Sequence, residues 1–192
     1  MKIGVLALQG AFEEHIKMFN LLDTECIEIR QLKDLNNDFD GIVIPGGEST
    51  VICKLLRELN MRDKLLEIIN NGVAVFGTCA GLIMMSSKTG DPKAVPLGLM
   101  EYTAKRNAYG RQLGSFSTVA NFDGIGEIPM VFIRAPYITD ASEDVQVLAT
   151  VNDRIVAVKQ GRFLATAFHP ELTEDLSVHK YFLNMIKTFE SL

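Results

Sequence analysis

Three residues in this chain have the types and surroundings to do covalent chemistry together: Cys79, His169 and Glu171. Cys79 sits in Gly77-Thr78-Cys79-Ala80-Gly81, between the apolar run Val73-Ala74-Val75-Phe76 and Leu82-Ile83-Met84-Met85. The first run, with two β-branched residues, reads as a short strand buried on both faces, and the second as the start of a helix. A cysteine among small residues where a strand becomes a helix has the form of a nucleophile elbow, a sharp turn that lifts the reactive atom out of the sheet. Bulky neighbours would collide with the strand behind it. The thiol would also face the unpaired N–H groups of a helix N-terminus, which favour a thiolate. The plain alternative is a buried structural cysteine, the commonest state of a free one.

His169 and Glu171 stand two apart in Phe168-His169-Pro170-Glu171, so extended backbone turns both side chains to one side. Pro170 fixes its own φ and restricts His169 to extended geometry. An imidazole oriented by a carboxylate is the general means of activating a serine or cysteine; the alternative is a solvated loop histidine beside an unrelated acid. His15 and His179 fall in helical segments without such a setting and read as surface residues. Cys26 reads as a core residue of a strand and Cys53 as helix packing. Three cysteines with no close pairing suggest no disulfide framework, and with the three histidines they form no recognisable metal cluster.

The elements that must position these residues follow a βαβ rhythm. Lys2 to Leu8 reads as a strand, Ala11 to Leu22 as a helix with Phe12, Ile16, Phe19 and Leu22 on one face, and Cys26 to Ile29 as a second strand. After a polar segment, Lys33 to Asp40, the run Gly41-Ile42-Val43-Ile44 is a third, buried strand. It ends in Pro45-Gly46-Gly47-Glu48-Ser49-Thr50, followed by helices from Val51 to Leu59 and from Arg62 to Asn71. The glycines would let backbone N–H groups approach a ligand, and Ser49 or Thr50 could cap the helix. A phosphate cradle is the rival reading of this loop, but no P-loop lysine or GxGxxG accompanies it. A plain helix-entry turn is the bland one. Gly46-Gly47 and Cys79 both occupy carboxyl ends of strands, where ligands sit in open α/β sheets.

Ser86 to Pro96 reads as a loop. Beyond it, short alternating segments (Leu99 to Thr103, Gly114 to Ala120, Met130 to Ile133, Val145 to Thr150, Ile155 to Lys159 and Phe163 to Ala167) read as antiparallel or mixed strands. A helix from Val178 to Phe189 closes the chain. No linker, repeat or low-complexity tract interrupts it, so residues 1–192 are expected to form one α/β domain: a three-layer sandwich around a mostly parallel sheet.

Composition narrows the function. Nineteen lysines and arginines against 24 acidic residues leave a net charge of −5, which argues against a nucleic-acid binder. The longest apolar runs fall well short of the ~20 residues that span a bilayer, and the N-terminal strand is too short for a signal peptide. A cytoplasmic protein is expected.

Taken together, the elbow, the Pro-Gly-Gly-Glu-Ser loop and the His-Pro-Glu segment resemble the class I (triad) glutamine amidotransferases, whose fold is flavodoxin-like. More narrowly, the chain is similar to the glutaminase subunits of pyridoxal 5′-phosphate synthases. Leu8-Gln9-Gly10, Gly46-Gly47-Glu48-Ser49-Thr50, Arg106-Asn107-Ala108-Tyr109-Gly110-Arg111-Gln112, Phe132-Ile133-Arg134-Ala135-Pro136 and Phe168 to Thr173 match that pattern in order. The resemblance implies Cys79 as nucleophile, His169 as general base and acid, and Glu171 as its orienting carboxylate. It places the oxyanion hole at the N–H groups of Gly47 and Ala80, and the glutamine pocket at Gly47, Glu48, Ser49, Arg106, Ile133 and Arg134. It implies no cofactor or metal on this chain. The implied partner is a separate, oligomeric (β/α)₈-barrel synthase subunit, which takes the ammonia to build pyridoxal 5′-phosphate.

Three other readings compete. A glutaminase of another synthase, such as that of imidazole glycerol phosphate, shares the triad but not the Arg106 and Ile133-Arg134 segments. A non-catalytic scaffold subunit leaves three filled triad positions without purpose. A flavodoxin-like binding module leaves the His169–Glu171 spacing unexplained.

Overall fold

The computed structural model describes residues 1–90, 95–106 and 114–190. The first half alternates strand and helix: β1 (Lys2–Leu6), α1 (Phe12–Asn20), β2 (Glu25–Ile29), β3 (Gly41–Ile44), α2 (Ser49–Glu58), α3 (Arg62–Asn70), β4 (Ala74–Thr78) and α4 (Ala80–Met85). Every residue of β3 and β4 is buried, the signature of strands covered on both faces. Strands β2, β1, β3 and β4 pair in that order, all parallel.

The second half contributes β5 (Ser86–Thr89), β6 (Met100–Lys105), β7 (Ser115–Phe122), β8 (Gly126–Ile133), β9 (Tyr137–Thr139), β10 (Gln146–Val151), β11 (Arg154–Gln160), β12 (Phe163–Thr166) and α5 (Ser177–Glu190). β12 returns to the middle of the molecule and lies parallel to β4, with Thr166 opposite Thr78. That register delivers His169 beside Cys79. Outward from β12, strands β11, β9 and β6 join antiparallel, β5 lies parallel to β6, and β10 pairs antiparallel with β11. Among the described residues these strands make one ten-stranded sheet, and β7 with β8 forms a separate antiparallel ribbon.

Successive residues of β4 point to opposite faces. Phe76 meets Phe182 of α5 and His15 of α1, with ring centroids 5.5 and 5.7 Å away. Gly77 faces α4, where a Cβ would lie 2.5 Å from Met85 Sδ, and α2 packs against α4. Helices therefore cover both faces, giving a three-layer α/β fold around a mostly parallel sheet.

The structure differs from the sequence reading in several places. Ser86–Thr89 is a strand rather than loop, because backbone pairing to β6 at the sheet edge needs no apolar alternation. β9 has three residues, too few to show a period. Part of the polar segment after Arg30 is a 3-10 turn, Leu32–Asn36, that buries Leu35. The first strand stops at Leu6, since Gln9 and Gly10 turn toward the Gly46 loop and Gly10 takes φ +100°.

Candidate active site

Cys79 sits between β4 and α4 at φ +47° and ψ −94°, a conformation costly for any side chain and typical of a constrained functional turn. The surroundings over-determine it. The Cys79 N–H donates to the Thr166 carbonyl of β12 at 2.8 Å. Gly81 packs so closely on β3 that a Cβ there would strike the Ile44 carbonyl oxygen. Small residues are thus required by the close approach of helix to strand. Cys79 is itself buried, with 8% of its surface exposed.

His169 follows β12, its N–H bonded to the Val131 carbonyl of β8 at 2.8 Å. Glu171 lies in the 3-10 turn Pro170–Leu172. His169 Nδ1 is 2.7 Å from Glu171 Oε1, and Cys79 lies within hydrogen-bonding reach of the imidazole. The backbone between His169 and Glu171 is turn rather than strand, and it is the turn that brings the carboxylate back under the ring. Burial pushes the imidazolium of His169 down. The hydrogen bonds to Cys79 and Glu171, with their charges, outweigh it and carry His169 up to about 10. Burial pushes the Glu171 carboxyl up, while the hydrogen bond and charge of His169 pull it back.

The Pro45–Glu48 loop closes the other side of Cys79. Gly46 packs against the ring of His169, so closely that a Cβ would overlap Cε1. Its N–H donates to Thr78 Oγ1 at 3.0 Å and its carbonyl accepts the Ala11 N–H at 3.0 Å. The Glu48 N–H donates to Gln9 Oε1 at 2.7 Å. Neither Ser49 nor Thr50 caps α2: Glu48 is the N-cap residue, and Ser49 Oγ is buried without a partner among the described residues.

A cleft of about 60 Å³ opens over the sulfur, lined by Gly47, Glu48, Cys79, Ile83, Arg106, Ile133, Arg134 and Pro136. Arg134 adopts φ +44°, and its guanidinium and that of Arg106 each lie 3.5 Å from one Glu48 carboxylate oxygen. Five of the six residues expected in a substrate pocket border this cleft; Ser49 does not. The segment Asn107 to Gln112 lies outside the described residues. A larger hollow of about 700 Å³ beside Leu32, Asn60 and Glu67 is lined by neither a cysteine nor a histidine.

His15 and His179 are not surface residues; both are fully buried. The buried face of α1 runs through His15, Met18 and Phe19, rotated from the stripe read in the sequence. A signal was available, since His179 stands three residues before Phe182 and seven before Ile186, on the apolar stripe of α5. Gln9 and Thr78, which hold the loop, carry no signal of their own in sequence.

Residues 5–188 match the SNO glutamine amidotransferase family. The pyridoxal 5′-phosphate synthase subunit PdxT of Haemophilus influenzae (strain PittEE) is 51% identical over 190 residues, covering 97% of this chain and 99% of its own length. PdxT of Streptococcus pneumoniae (strain ATCC 700669 / Spain 23F-1) is also 51% identical, with 97% and 98% coverage. Among solved structures, a crystal structure of a glutamine amidotransferase superposes with a TM-score of 0.91 at 43% identity, covering 96% of this chain and 98% of that one.

Proposed function

The chain belongs to the SNO glutamine amidotransferase family, and we infer that it hydrolyses L-glutamine to L-glutamate and ammonia as the glutaminase subunit of a pyridoxal 5′-phosphate synthase. The observation that carries this reading is the hydrogen-bonded line Cys79–His169–Glu171 beneath a cleft that holds two arginines. The 51% identity to PdxT proteins over nearly the whole chain favours this synthase over that of imidazole glycerol phosphate.

In the resting pair the proton sits on His169. Cys79 Sγ attacks the side-chain amide carbon of glutamine, and the N–H groups of Gly47 and Ala80 hold the oxyanion. His169 then gives its proton to the departing nitrogen, which leaves as ammonia, and a thioester remains. Acylation removes the charge and the hydrogen-bond acceptor that held the His169 proton in place. The neutral imidazole can now take a proton from water, whose oxygen attacks the thioester, releasing glutamate and restoring Cys79. Arg106 and Arg134 receive the α-carboxylate of glutamine bidentately or as a pair. Glu48, which bridges them at 3.5 Å, turns to the α-ammonium instead. Ile133 completes the pocket, and Ser49, the sixth residue that the resemblance implies, stands outside the cleft with its hydroxyl buried and unpartnered among the described residues.

The pH dependence follows from His169. Its folded-state value is raised, so its contribution to stability is fully present below the ordinary 6.5 and is lost as pH rises through about 10, where the folded chain gives up the proton. Glutamine kcat/KM should stay level across neutral pH and fall on the alkaline side with a midpoint of about 10. An alkaline limb centred near 6.5 would contradict the paired proton.

The ammonia passes to a separate synthase subunit, an oligomeric (β/α)₈ barrel. All 192 residues act as one glutaminase domain, in the reducing cytoplasm, where Cys26, Cys53 and Cys79 remain free thiols. Uncoupled hydrolysis wastes glutamine, and the peptide joining Gly46 to Gly47 is a natural gate. Its carbonyl is held by the Ala11 N–H, so turning the Gly47 N–H over requires breaking that bond. A partner pressing on Gln9 to Ala11 selects the donor-in state. One misplaced oxyanion donor costs about 10²–10³ in turnover. Glutamate release by the chain alone should therefore be slow, and saturating synthase subunit should raise kcat by about that factor with a smaller change in KM. Absence of glutamate release in both conditions would overturn the function; full activity without the partner would overturn the gate alone.

A further inference from the structure

The reaction sequence above makes no use of His15, His179 or Thr78, yet all three are fully buried directly behind the triad. Polar rings are costly in an apolar layer unless their nitrogens are satisfied. His15 Nδ1 lies 3.0 Å from His179 Nε2. Its other nitrogen, Nε2, lies 3.1 Å from Thr78 Oγ1 and 3.4 Å from Glu171 Oε2. Thr78 Oγ1 also accepts the Gly46 N–H at 3.0 Å. Glu171 Oε1 is taken by His169, and Oε2 has no hydrogen bond among the described residues beyond this approach of His15.

These contacts fix the protons. His179 Nδ1 has no partner among the described residues and lies in a ring packed edgewise against Phe19 and Phe76. A buried N–H is seldom left orphaned, so the hydrogen of His179 belongs on Nε2. It donates to His15 Nδ1, which is then an acceptor, and the hydrogen of His15 must sit on Nε2. That N–H reaches the Thr78 hydroxyl oxygen, which can accept it, and its nitrogen lies 3.4 Å from Glu171 Oε2, a carboxylate oxygen that can also accept.

We propose that His15, held in one tautomer by His179, is a positioning residue for the glutaminase reaction: its Nε2–H bridges Glu171 Oε2 and Thr78 Oγ1 and ties the triad carboxylate to the Gly46–Gly47 loop. The proposal rests on the triad reading above. Burial, with the nearby His179 and His169, holds His15 well below the ordinary histidine value, and burial takes His179 down to about 3. Each ring therefore carries the single proton that the relay requires. The titratable groups facing Glu171 are His169, His15 and, from α1, Glu14; those facing His15 are His179, His169 and Glu171.

Without the Nε2–H, Glu171 Oε2 faces an apolar surface, which favours the protonated carboxyl. A neutral Glu171 supports the His169 imidazolium less, and His169 in turn activates the sulfur less. The test compares His15→Leu, which keeps bulk and removes both nitrogens, with His15→Gln, whose Nε2–H falls near the lost donor. Glutamine turnover is measured with the synthase subunit, and the pH midpoint of Cys79 alkylation by iodoacetamide is measured by mass on the chain alone. His15→Leu should lower kcat by about 10²-fold, the size of a misplaced catalytic group, with KM changed by less than about twofold. Its alkylation midpoint should rise by about one pH unit. His15→Gln should recover about tenfold of the lost kcat and most of the midpoint shift. His179→Leu, which frees His15 to take the other tautomer, should move the midpoint in the same direction.

Unchanged kcat and midpoint in His15→Leu would overturn the proposal, as would His15→Gln behaving no better than His15→Leu. A purely structural role would lower the melting temperature and leave the midpoint alone, which also overturns it. If the unmutated chain released no glutamate with its partner, the function would fall, while the alkylation midpoint would still decide the role of His15.

Discussion

Cys79→Ala should remove glutamine turnover, a loss on the order of 10⁶-fold in kcat, as when one member of a catalytic unit is deleted. The fold and synthase binding should survive. Cys79 is buried, so its survival rests on size: alanine keeps the Cβ, which packs against Gly46, and deletes one sulfur beside a cleft already open to solvent. The strained φ of +47° belongs to the turn and is the same for alanine. With the sulfur gone, His169 loses the hydrogen bond and charge of Cys79 that raise it, so its proton should be released at a lower pH in the variant. Steady-state glutamate release, far-UV circular dichroism and capture on immobilised synthase subunit check the three parts. Turnover within about tenfold of the unmutated chain would remove Cys79 from the chemistry.

His169→Ala should be nearly as damaging, because the nucleophile and its base act as one unit and their losses do not add. Glu171→Gln should cost less, on the order of 10⁴-fold. The glutamine amide can donate to His169 Nδ1 and so stabilise the tautomer whose Nε2 is already protonated, useless as a base. It also removes the charge that supports the imidazolium. Some activity remains because the carboxylate makes no bond to substrate. The comparison is kcat for the three chains in the presence of synthase subunit, with thermal melting measured alongside. Equal, complete loss at all three positions with lowered melting temperatures would point to unfolding rather than chemistry.

Much of this site was legible in sequence because its requirements are local. Gly77 to Gly81 suggests an elbow by size alone, and His169-Pro170-Glu171 suggests an oriented base by spacing, although the turn at Pro170–Leu172, and not the extended backbone read there, brings the carboxylate to the ring. The parallel half of the sheet was legible too, since β3 and β4 are short apolar runs between helical stretches. What stayed hidden depends on pairing distant in the chain. Ser86–Thr89 becomes a strand only because β6 lies beside it. His15 and His179 look like polar helix residues until their helices meet, 164 positions apart, on the face of β4 that carries Phe76 and Thr78. The approach of Gln9 to the Glu48 N–H likewise has no trace in the spacing of either segment.

Trapping the nucleophile with a glutamine-derived chloroketone tests the chemistry most directly. The chain, mixed with its synthase subunit, is treated with the reagent, weighed intact and mapped by peptide. Burial and Glu25 raise the Cys26 thiol to about 11, and burial raises Cys53, whose thiol donates to the Val95 carbonyl, so both should be poor competitors. One adduct per chain, on Cys79 and suppressed by excess L-glutamine, is the outcome predicted here. Adducts spread over Cys26, Cys53 and Cys79, or an adduct on Cys79 that glutamine does not suppress, would contradict a glutamine-binding nucleophile at this elbow.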